Sequence, residues 1–262
     1  MQLANWRLVK ELMRTVDAVL EVVDARDPQS TRSLRLERLA ERQGLPVIIV
    51  MNKADLVPRN ICEGWKKFFE LREGLRAVYI SARHRMGTRV LRKVLREEVS
   101  KSPLAAGVFG IPKVGKSTLI NVLKGRHSAS TSPYPGLPGY TKKAQVFRIG
   151  GNVYLVDTPG IVPPEGVGVE REIRLTPVDT LKNPVKAGIE VIKKVLSHNP
   201  KAFLEAYGID SQTPEEILEF IARRRGLIYK KGGEPILQEA AKVVIRDYLD
   251  GKITFFVKPP RP

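Results

Sequence analysis

Cysteine, histidine and long apolar runs are scarce in this sequence of 262 residues. It contains one cysteine, Cys62, and three scattered histidines, so neither an internal disulfide nor a zinc site is expected. No run of about 20 apolar residues occurs, and the first residues lack the apolar core of a signal peptide. We therefore expect a protein of a reducing compartment, placed in the cytoplasm, with no membrane-spanning segment.

Acidic residues are also few relative to basic ones. The chain has 45 Lys and Arg against 28 Asp and Glu, which gives a net charge of +17. About +12 of this excess falls in residues 1–170 and about +5 in residues 171–262, so it is not confined to a tail. Such a charge favours a polyanionic partner, nucleic acid above all. The alternative is that the charge only keeps the protein soluble, or belongs to the ion-pair-rich surface of a heat-stable protein.

Buried strands alternate with amphipathic helices over the first 157 residues. Apolar runs at 17–24, 46–51, 77–80 and 104–109 are each followed by a helical pattern, and two more strands are predicted at 144–149 and 152–157. Such alternation predicts an α/β fold with a mostly parallel sheet. Ligands of these sheets bind beyond the carboxyl ends of the strands.

A segment rich in proline and glycine, 161–184, separates this part from a helical C-terminal part. We predict a nucleotide-binding domain over 1–165, a linker over 166–184 and a small helical domain over 185–262. Its helices are expected near 185–197, 200–206, 214–224 and 234–250.

Residues 110–117 match the phosphate-binding loop G-x-x-x-x-G-K-S between a predicted strand and helix. Its glycines let backbone N–H groups surround phosphate at the start of the helix. We expect Lys116 to contact the β and γ phosphates and the Ser117 hydroxyl to ligate Mg²⁺. The further phosphate-loop contacts are predicted at Gly110, Lys113, Val114, Gly115 and Thr118.

Asp157-Thr158-Pro159-Gly160 follows at the end of the last predicted strand. Asp157 is expected to hold Mg²⁺ through water, and the Gly160 N–H to sense the γ-phosphate. Thr141, in Pro-Gly-Tyr-Thr, is the preferred switch threonine that closes on Mg²⁺, with Thr131 and Thr118 as alternatives. Lys116, Thr141 and Gly160 are thus the predicted catalytic groups, and Ser117, Thr141 and Asp157 the predicted metal ligands.

Asn52-Lys53-Ala54-Asp55 has the form N-K-x-D that reads guanine. The Asp55 carboxylate can accept from N1–H and the 2-amino group of guanine, a donor pair that adenine lacks. We expect the Lys53 stem to pack over the base and Asn52 to brace the phosphate loop. The backbone of Ser81 and Ala82, in Ser-Ala-Arg, is expected to read O6.

The guanine-reading motif precedes the phosphate loop, the reverse of the usual order in GTPases. The order N-K-A-D, S-A-R, G-I-P-K-V-G-K-S, P-G-Y-T, D-T-P-G resembles the circularly permuted GTPases of the YlqF/YawG type. Residues 24–28, Asp-Ala-Arg-Asp-Pro, resemble the D-A-R-x-P signature of that family, although the residues alone indicate no chemical role. The C-terminal R-R-R-G and K-G-G-E-P segments are similar to the family's tail. The resemblance predicts a P-loop GTPase fold with its motifs in the order G4-G5-G1-G2-G3.

The resemblance implies a Mg·GTP-dependent factor that docks on ribosomal RNA of a maturing large ribosomal subunit, and we expect a monomer. Ile161 occupies the place of the water-orienting Gln of Ras-like GTPases, so hydrolysis should be slow without a ribosomal partner. Relatives commonly carry Asn at the position of Lys113, where it helps to hold K⁺. Our hypothesis is that the Lys113 ammonium takes the place of this cation, which leaves K⁺ uncertain as a cofactor.

Three functions fit these motifs. The first is a GTPase that assists large-subunit assembly and couples its GTP state to docking of the C-terminal domain on RNA. The second is a GTP-gated RNA-binding module whose hydrolysis is incidental. A P-loop kinase is disfavoured because N-K-A-D and D-T-P-G would have no purpose in it. Arg223–Arg225 with Lys230 and Lys231 is the best local candidate for phosphate contacts, the alternative being a solvated helix end.

Overall fold

Alternation of apolar and amphipathic segments produces a sheet flanked by helices in the first unit of the chain. The computed structural model describes residues 6–124, 145–157 and 168–260, and this unit comprises Met1–Pro164 with Lys258–Pro262. Its elements are α1 (Trp6–Met13), β1 (Ala18–Asp24), α2 (Pro28–Thr31), α3 (Leu34–Glu41), β2 (Val47–Asn52), α4 (Arg59–Arg72), β3 (Arg76–Tyr79), α5 (Thr88–Glu98), β4 (Leu104–Phe109), α6 (Lys116–Lys124), β5 (Gln145–Gly150) and β6 (Val153–Asp157).

The six described strands lie in the order β3-β2-β1-β4-β6-β5. All neighbours are parallel except β5, which pairs antiparallel with β6 at one edge. The predicted α/β class with a mostly parallel sheet is confirmed. Every residue of β1, β2 and β4 is buried, which explains their nearly continuous apolar sequence. From β1 the chain proceeds outward through β2 and β3, and β4 lies on the other side of β1. The direction of winding therefore reverses between β1 and β4, where open sheets bind ligands.

One predicted helix of this unit is divided in two. The helical pattern predicted after the first apolar run forms α3, which begins only at Leu34, and residues 28–31 form the separate short helix α2. Asp27 caps α2 by accepting from the Ser30 N–H, and Pro28 occupies its first position. Ser33 then caps α3 by accepting from the Leu36 N–H. Two successive N-caps thus begin two separate helices.

The second unit, Glu165–Val257, is helical and has its own apolar core. It contains α7 (Val169–Leu175), a 3₁₀ turn at Val178–Thr180, α8 (Pro184–His198), α9 (Ala202–Tyr207), α10 (Pro214–Arg224) and α11 (Leu237–Asp250). Helices α8 and α11 approach closely because Gly188 lacks a side chain: a Cβ there would lie 2.8 Å from the Ala241 Cβ. None of the helices in the described residues is long and apolar enough to cross a membrane.

The described part of the linker predicted over 166–184 contains helical structure. Residues 169–175 form α7, whose Ile173 side chain is buried in the core of the second unit. Pro177 directly precedes the 3₁₀ turn, and Pro184 is the first residue of α8. Proline is well tolerated at a helix start because its missing N–H has no partner to lose there. The proline-rich composition therefore marks breaks between helices in this part of the chain.

Candidate nucleotide site

The predicted motifs follow neighbouring strands at one edge of the sheet. In the order of the strands across the sheet, the motifs lie at or directly after the ends of β3 (Ser81–Arg83), β2 (Asn52–Asp55), β1 (Asp24–Pro28), β4 (the phosphate loop) and β6 (Asp157). Segments more than a hundred residues apart in sequence are thus brought to the carboxyl ends of five adjacent strands. This is the edge at which parallel sheets bind their ligands.

Asn52 connects the two halves of this edge. Its side-chain Nδ2 donates to the Val114 carbonyl of the phosphate loop at 2.9 Å, and its Oδ1 accepts from the Ala82 N–H at 3.0 Å. The residue is only 3% exposed. One buried amide therefore holds the phosphate loop, the end of β2 and the Ser-Ala-Arg segment in a single arrangement.

The phosphate loop requires glycine at two positions. Gly110 has φ +147°, and a Cβ there would lie 2.4 Å from the Val22 carbonyl oxygen. Gly115 has φ +96°, and a Cβ there would lie 2.3 Å from Nδ2 of Asn52. Both contacts are far inside van der Waals distance, and both backbones lie outside the region that other residues favour. The loop conformation thus depends on these two glycines and on Asn52 together.

Lys116 and Asp157 form the electrostatic centre of the phosphate end. Burial lowers the pKa of Lys116 to about 8, an effect that the nearby Asp157 carboxylate partly offsets. Burial raises the pKa of Asp157, and Lys116 opposes that rise. Asp157 lies opposite Val108 in the pairing of β4 with β6, two residues before the loop begins. Burial removes hydration from both charged groups. A bound phosphate would stabilise the charge of Lys116, and a bound cation would stabilise that of Asp157.

The described residues at this end fit Mg²⁺. Ser117, an exposed residue, has a hydroxyl and Asp157 a carboxylate, and Mg²⁺ prefers such oxygen ligands. Two protein ligands are enough because phosphates and waters complete the coordination shell of Mg²⁺. Within the described ranges no cluster of three or more His, Cys, Asp and Glu forms an all-protein metal cage. The other predicted ligand and sensor, Thr141 and Gly160, lie outside the described residues, as does Ile161.

Asp55, the predicted guanine reader, lies in the 3₁₀ turn Ala54–Leu56 that follows β2. Its side chain is 22% exposed, and Nε2 of His84 lies 3.6 Å from its Oδ2. His84, which belongs to none of the predicted motifs, is thus a neighbour of the predicted guanine reader. The Ser81 N–H donates to the Met86 carbonyl and the Ala82 N–H to Asn52. A base that used Ala82 to read O6 would share this donor with Asn52.

The structure provides a role for the Asp-Ala-Arg segment, for which the sequence indicated none. The Asp24 carboxylate accepts from Arg26 Nε at 3.0 Å and Nη2 at 2.8 Å, and from Lys53 Nζ at 2.9 Å. Asp24 and Arg26 are each 1% exposed. Asp24 also lies opposite Asn52 in the pairing of β1 with β2, and the Ala25 N–H donates to the Asn52 carbonyl at 2.7 Å. This segment therefore positions Lys53 and the start of the guanine-reading motif. The sequence holds a signal for this contact: an acid ends one predicted strand, and a lysine directly follows the next strand.

Comparison with known proteins agrees with this geometry. The family model described as RsgA GTPase matches residues 3–165. Among curated proteins, an uncharacterized GTP-binding protein of Methanocaldococcus jannaschii is 35% identical over 257 residues, which cover 95% of this chain and 66% of that one. Nucleolar GTP-binding protein 2 of Neurospora crassa is 32% identical over 264 residues, 97% of this chain and 42% of that one. The chain thus spans from about two fifths to just under two thirds of the length of these two relatives.

Two solved structures resemble the chain over nearly its whole length. GNP-bound YlqF from T. maritima matches with a TM-score of 0.67 and 27% identity, covering 98% of this chain and 99% of that one. The GDP-bound structure of the same protein matches with a TM-score of 0.63 and 27% identity, covering 97% and 98%. YlqF is a circularly permuted GTPase, so the permuted motif order found here occurs in a known fold.

Proposed function

Because the chain belongs to the RsgA GTPase family, we propose that it binds Mg·GTP at the carboxyl edge of its sheet, hydrolyses it, and assists assembly of the large ribosomal subunit. The hydrogen bonds of Asn52 to Val114 and Ala82 carry this proposal most directly. They join the predicted phosphate-binding and guanine-reading segments into one site. The cytoplasmic location expected from the sequence stays a prediction.

Each end of the proposed site has a distinct task. Lys116 supplies a positive charge to the β and γ phosphates, whose negative charge would favour the ionised form of its ammonium. Ser117 and Asp157 would hold Mg²⁺, which neutralises charge on the phosphates when bound. Asp55 accepts from the guanine edge, while Asp24 holds the ammonium of Lys53 so that its stem can cover the base.

Hydrolysis is proposed to depend on a partner. Ile161 has no group that can orient water, so the chain should turn over slowly by itself. Groups supplied by a partner accelerate GTPases by as much as roughly 10⁵-fold. The hypothesis that the Lys113 ammonium replaces K⁺ predicts equal turnover in Na⁺ and K⁺. Strong activation by K⁺ would contradict it.

The ribosomal assignment is supported by the relatives' names and by charge. Several matching relatives are named nucleolar GTP-binding protein 2, and the nucleolus is where eukaryotic ribosomes are assembled. The net charge of +17 suits a partner built of RNA. We place the RNA contacts of the second unit on Arg223–Arg225 with Lys230 and Lys231, and expect a monomer.

A GTP-gated RNA-binding module with incidental hydrolysis is the second candidate, and Ile161 in place of a water-orienting side chain favours it. GTP turnover with and without purified large ribosomal subunits separates the two. The first proposal predicts an increase of at least about tenfold with subunits, and small ribosomal subunits serve as the control. Unchanged turnover together with GTP-dependent co-sedimentation would favour the second candidate. If neither turnover nor GTP binding is found, both are wrong.

A further inference from the structure

Residues 223–231, called here the basic turn, form the most concentrated positive segment of the second unit. They include five cations and no acid: Arg223, Arg224, Arg225, Lys230 and Lys231. All five side chains belong to exposed residues. The segment begins at the C-terminal end of α10 and continues into a tight reversal of the chain.

Backbone hydrogen bonds fix the shape of this reversal. The Leu227 N–H donates to the Ala222 carbonyl at 2.8 Å, which ties the turn to the end of α10. The Ile236 N–H donates to Leu227 at 2.8 Å and the Tyr229 N–H to Glu234 at 3.0 Å, while Ile228 forms an antiparallel bridge with Pro235. The side chains of this segment are therefore carried by a hydrogen-bonded turn.

Two large apolar side chains are presented to solvent by this turn. Leu227 packs against the core of the second unit, whereas Ile228 is 45% and Tyr229 55% exposed. Tyr229 is the only aromatic residue among the exposed large hydrophobic residues of the described chain. An exposed aromatic ring next to two lysines is typical of surfaces that stack bases and contact phosphates.

A cavity of about 310 Å³ adjoins the start of the basic turn and is lined in part by Arg224, Arg225 and Lys252. The buried Asp247 carboxylate lies 3.2 Å from Arg225 Nη2 and 2.8 Å from Lys252 Nζ. Arg225 and Lys252 remain 47% and 64% exposed. Asp247 thus orients two cations without covering them. Three lining cations against one lining carboxylate leave the cavity net positive, and the exposed Asp250 carboxylate lies 3.9 Å from Lys252 Nζ.

We propose that the basic turn and this cavity bind single-stranded RNA, with phosphates on Arg225, Lys230 and Lys231 and a base stacked on Tyr229. The inference rests on the proposed function and specifies the surface through which the second unit meets RNA. Charge alone would also suit an acidic protein. A phosphate-rich strand with flat bases is favoured because it uses both the cations and the exposed ring.

The test measures binding of a fluorescent short single-stranded RNA to the full chain at several salt concentrations. Tyr229→Leu keeps apolar surface but removes the ring, and should weaken binding about tenfold with an unchanged salt slope. Tyr229→Phe should bind as the wild type does. The double variant Lys230→Ala, Lys231→Ala should reduce the log–log salt slope by about 0.7 for each phosphate that it no longer neutralises.

Matched controls lie in the same unit. Leu204→Ala removes another exposed apolar side chain, and Lys193→Ala another exposed charge, and neither should change RNA binding. If the wild type binds RNA and both Tyr229→Leu and the double lysine variant bind it equally tightly, the proposed surface is wrong while the proposed function stands. Absence of RNA binding with normal GTP turnover would overturn both the surface and the RNA part of that function. Equally tight binding of poly-glutamate, equally weakened by Tyr229→Leu, would assign the surface to an acidic protein instead.

Discussion

Asp24 shows how one side chain at a strand end can organise a neighbouring motif. Its carboxylate accepts from Arg26 and Lys53 while being almost fully excluded from water. A buried carboxylate with two cationic partners is tolerated because their charges and hydrogen bonds replace its hydration. Since Lys53 belongs to the predicted guanine-reading motif, we expect loss of one partner of this ion-pair network to lower both stability and nucleotide affinity.

Asp24→Asn is therefore expected to lower both quantities. The variant keeps the shape of the side chain but removes the negative charge that faces the buried Arg26, at a cost of roughly 3 kcal/mol. GTP affinity should fall about tenfold because Lys53 is no longer held, as measured by titration of a fluorescent GTP analogue. Asp17→Asn is the control: it removes an ion pair with Lys101 at the other end of β1. That variant should bind GTP normally, and an equal loss of affinity in both would contradict a positioning role for Asp24.

At the scale of elements, Glu170 joins three helices of the second unit. It lies on α7, pairs with Arg174 at 2.8 Å and with Lys194 of α8 at 2.7 Å, and accepts from the Tyr248 hydroxyl of α11. Burial opposes ionisation of Glu170, but Arg174 and Lys194 outweigh it and lower its pKa from 4.5 to about 2. The ionised carboxylate is thus more stable in the folded chain than in the unfolded one, and α7 is held to the unit by charge as well as by Ile173.

Glu170→Gln should lower the free energy of unfolding by roughly 3 kcal/mol at neutral pH. The contribution of Glu170 is complete above about pH 4.5 and is lost as the pH falls toward 2, because protons then neutralise the folded carboxylate as well. Urea unfolding at several pH values should show wild type and variant converging in acid. Glu190→Gln on the exposed side of α8 is the control and should change stability by less than about 0.5 kcal/mol. A constant gap between wild type and Glu170→Gln at all pH values would refute the assignment.

Most elements of the fold follow from sequence pattern, and the exceptions have physical causes. The strands β1, β2 and β4 are predictable because strands buried on both faces are apolar throughout. The division of α2 from α3 depends on side-chain caps at Asp27 and Ser33, which periodicity does not register. The helix at 169–175 escapes prediction because it has only seven residues, which give too short a periodic signal.

The candidate site is predictable where a motif encodes its own chemistry, and less so where contacts cross between strands. Gly110, Gly115 and Lys116 follow from the phosphate-loop pattern alone. The contacts of Asp24 with Lys53 and of His84 with Asp55 depend on which strands are neighbours. Spacing along the chain does not give that order, β3-β2-β1-β4, so charged residues at successive strand ends suggest such contacts without establishing them.

At the scale of the whole molecule, permutation changes what the end of β6 is connected to. Asp157 ends β6, and the chain then passes through residues 158–167 to the helical unit. We propose that binding of the γ-phosphate is communicated to that unit through this connection. Hydrogen exchange should therefore differ between the GTP-bound and GDP-bound chain over residues 161–262. Identical protection in both states would refute the coupling while leaving nucleotide binding unaffected.

The central claim is that Asn52–Asp55 and Gly110–Ser117 enclose one guanine nucleotide, and exchange of base specificity at Asp55 tests it most directly. Xanthine presents an oxygen where guanine has its 2-amino group, so an amide at position 55 can donate to it. In Asp55→Asn, affinity for GTP should fall by about a hundredfold while affinity for xanthosine triphosphate rises. Affinity for GTP that stays at the wild-type level, or an equal loss for both nucleotides, would contradict the claim.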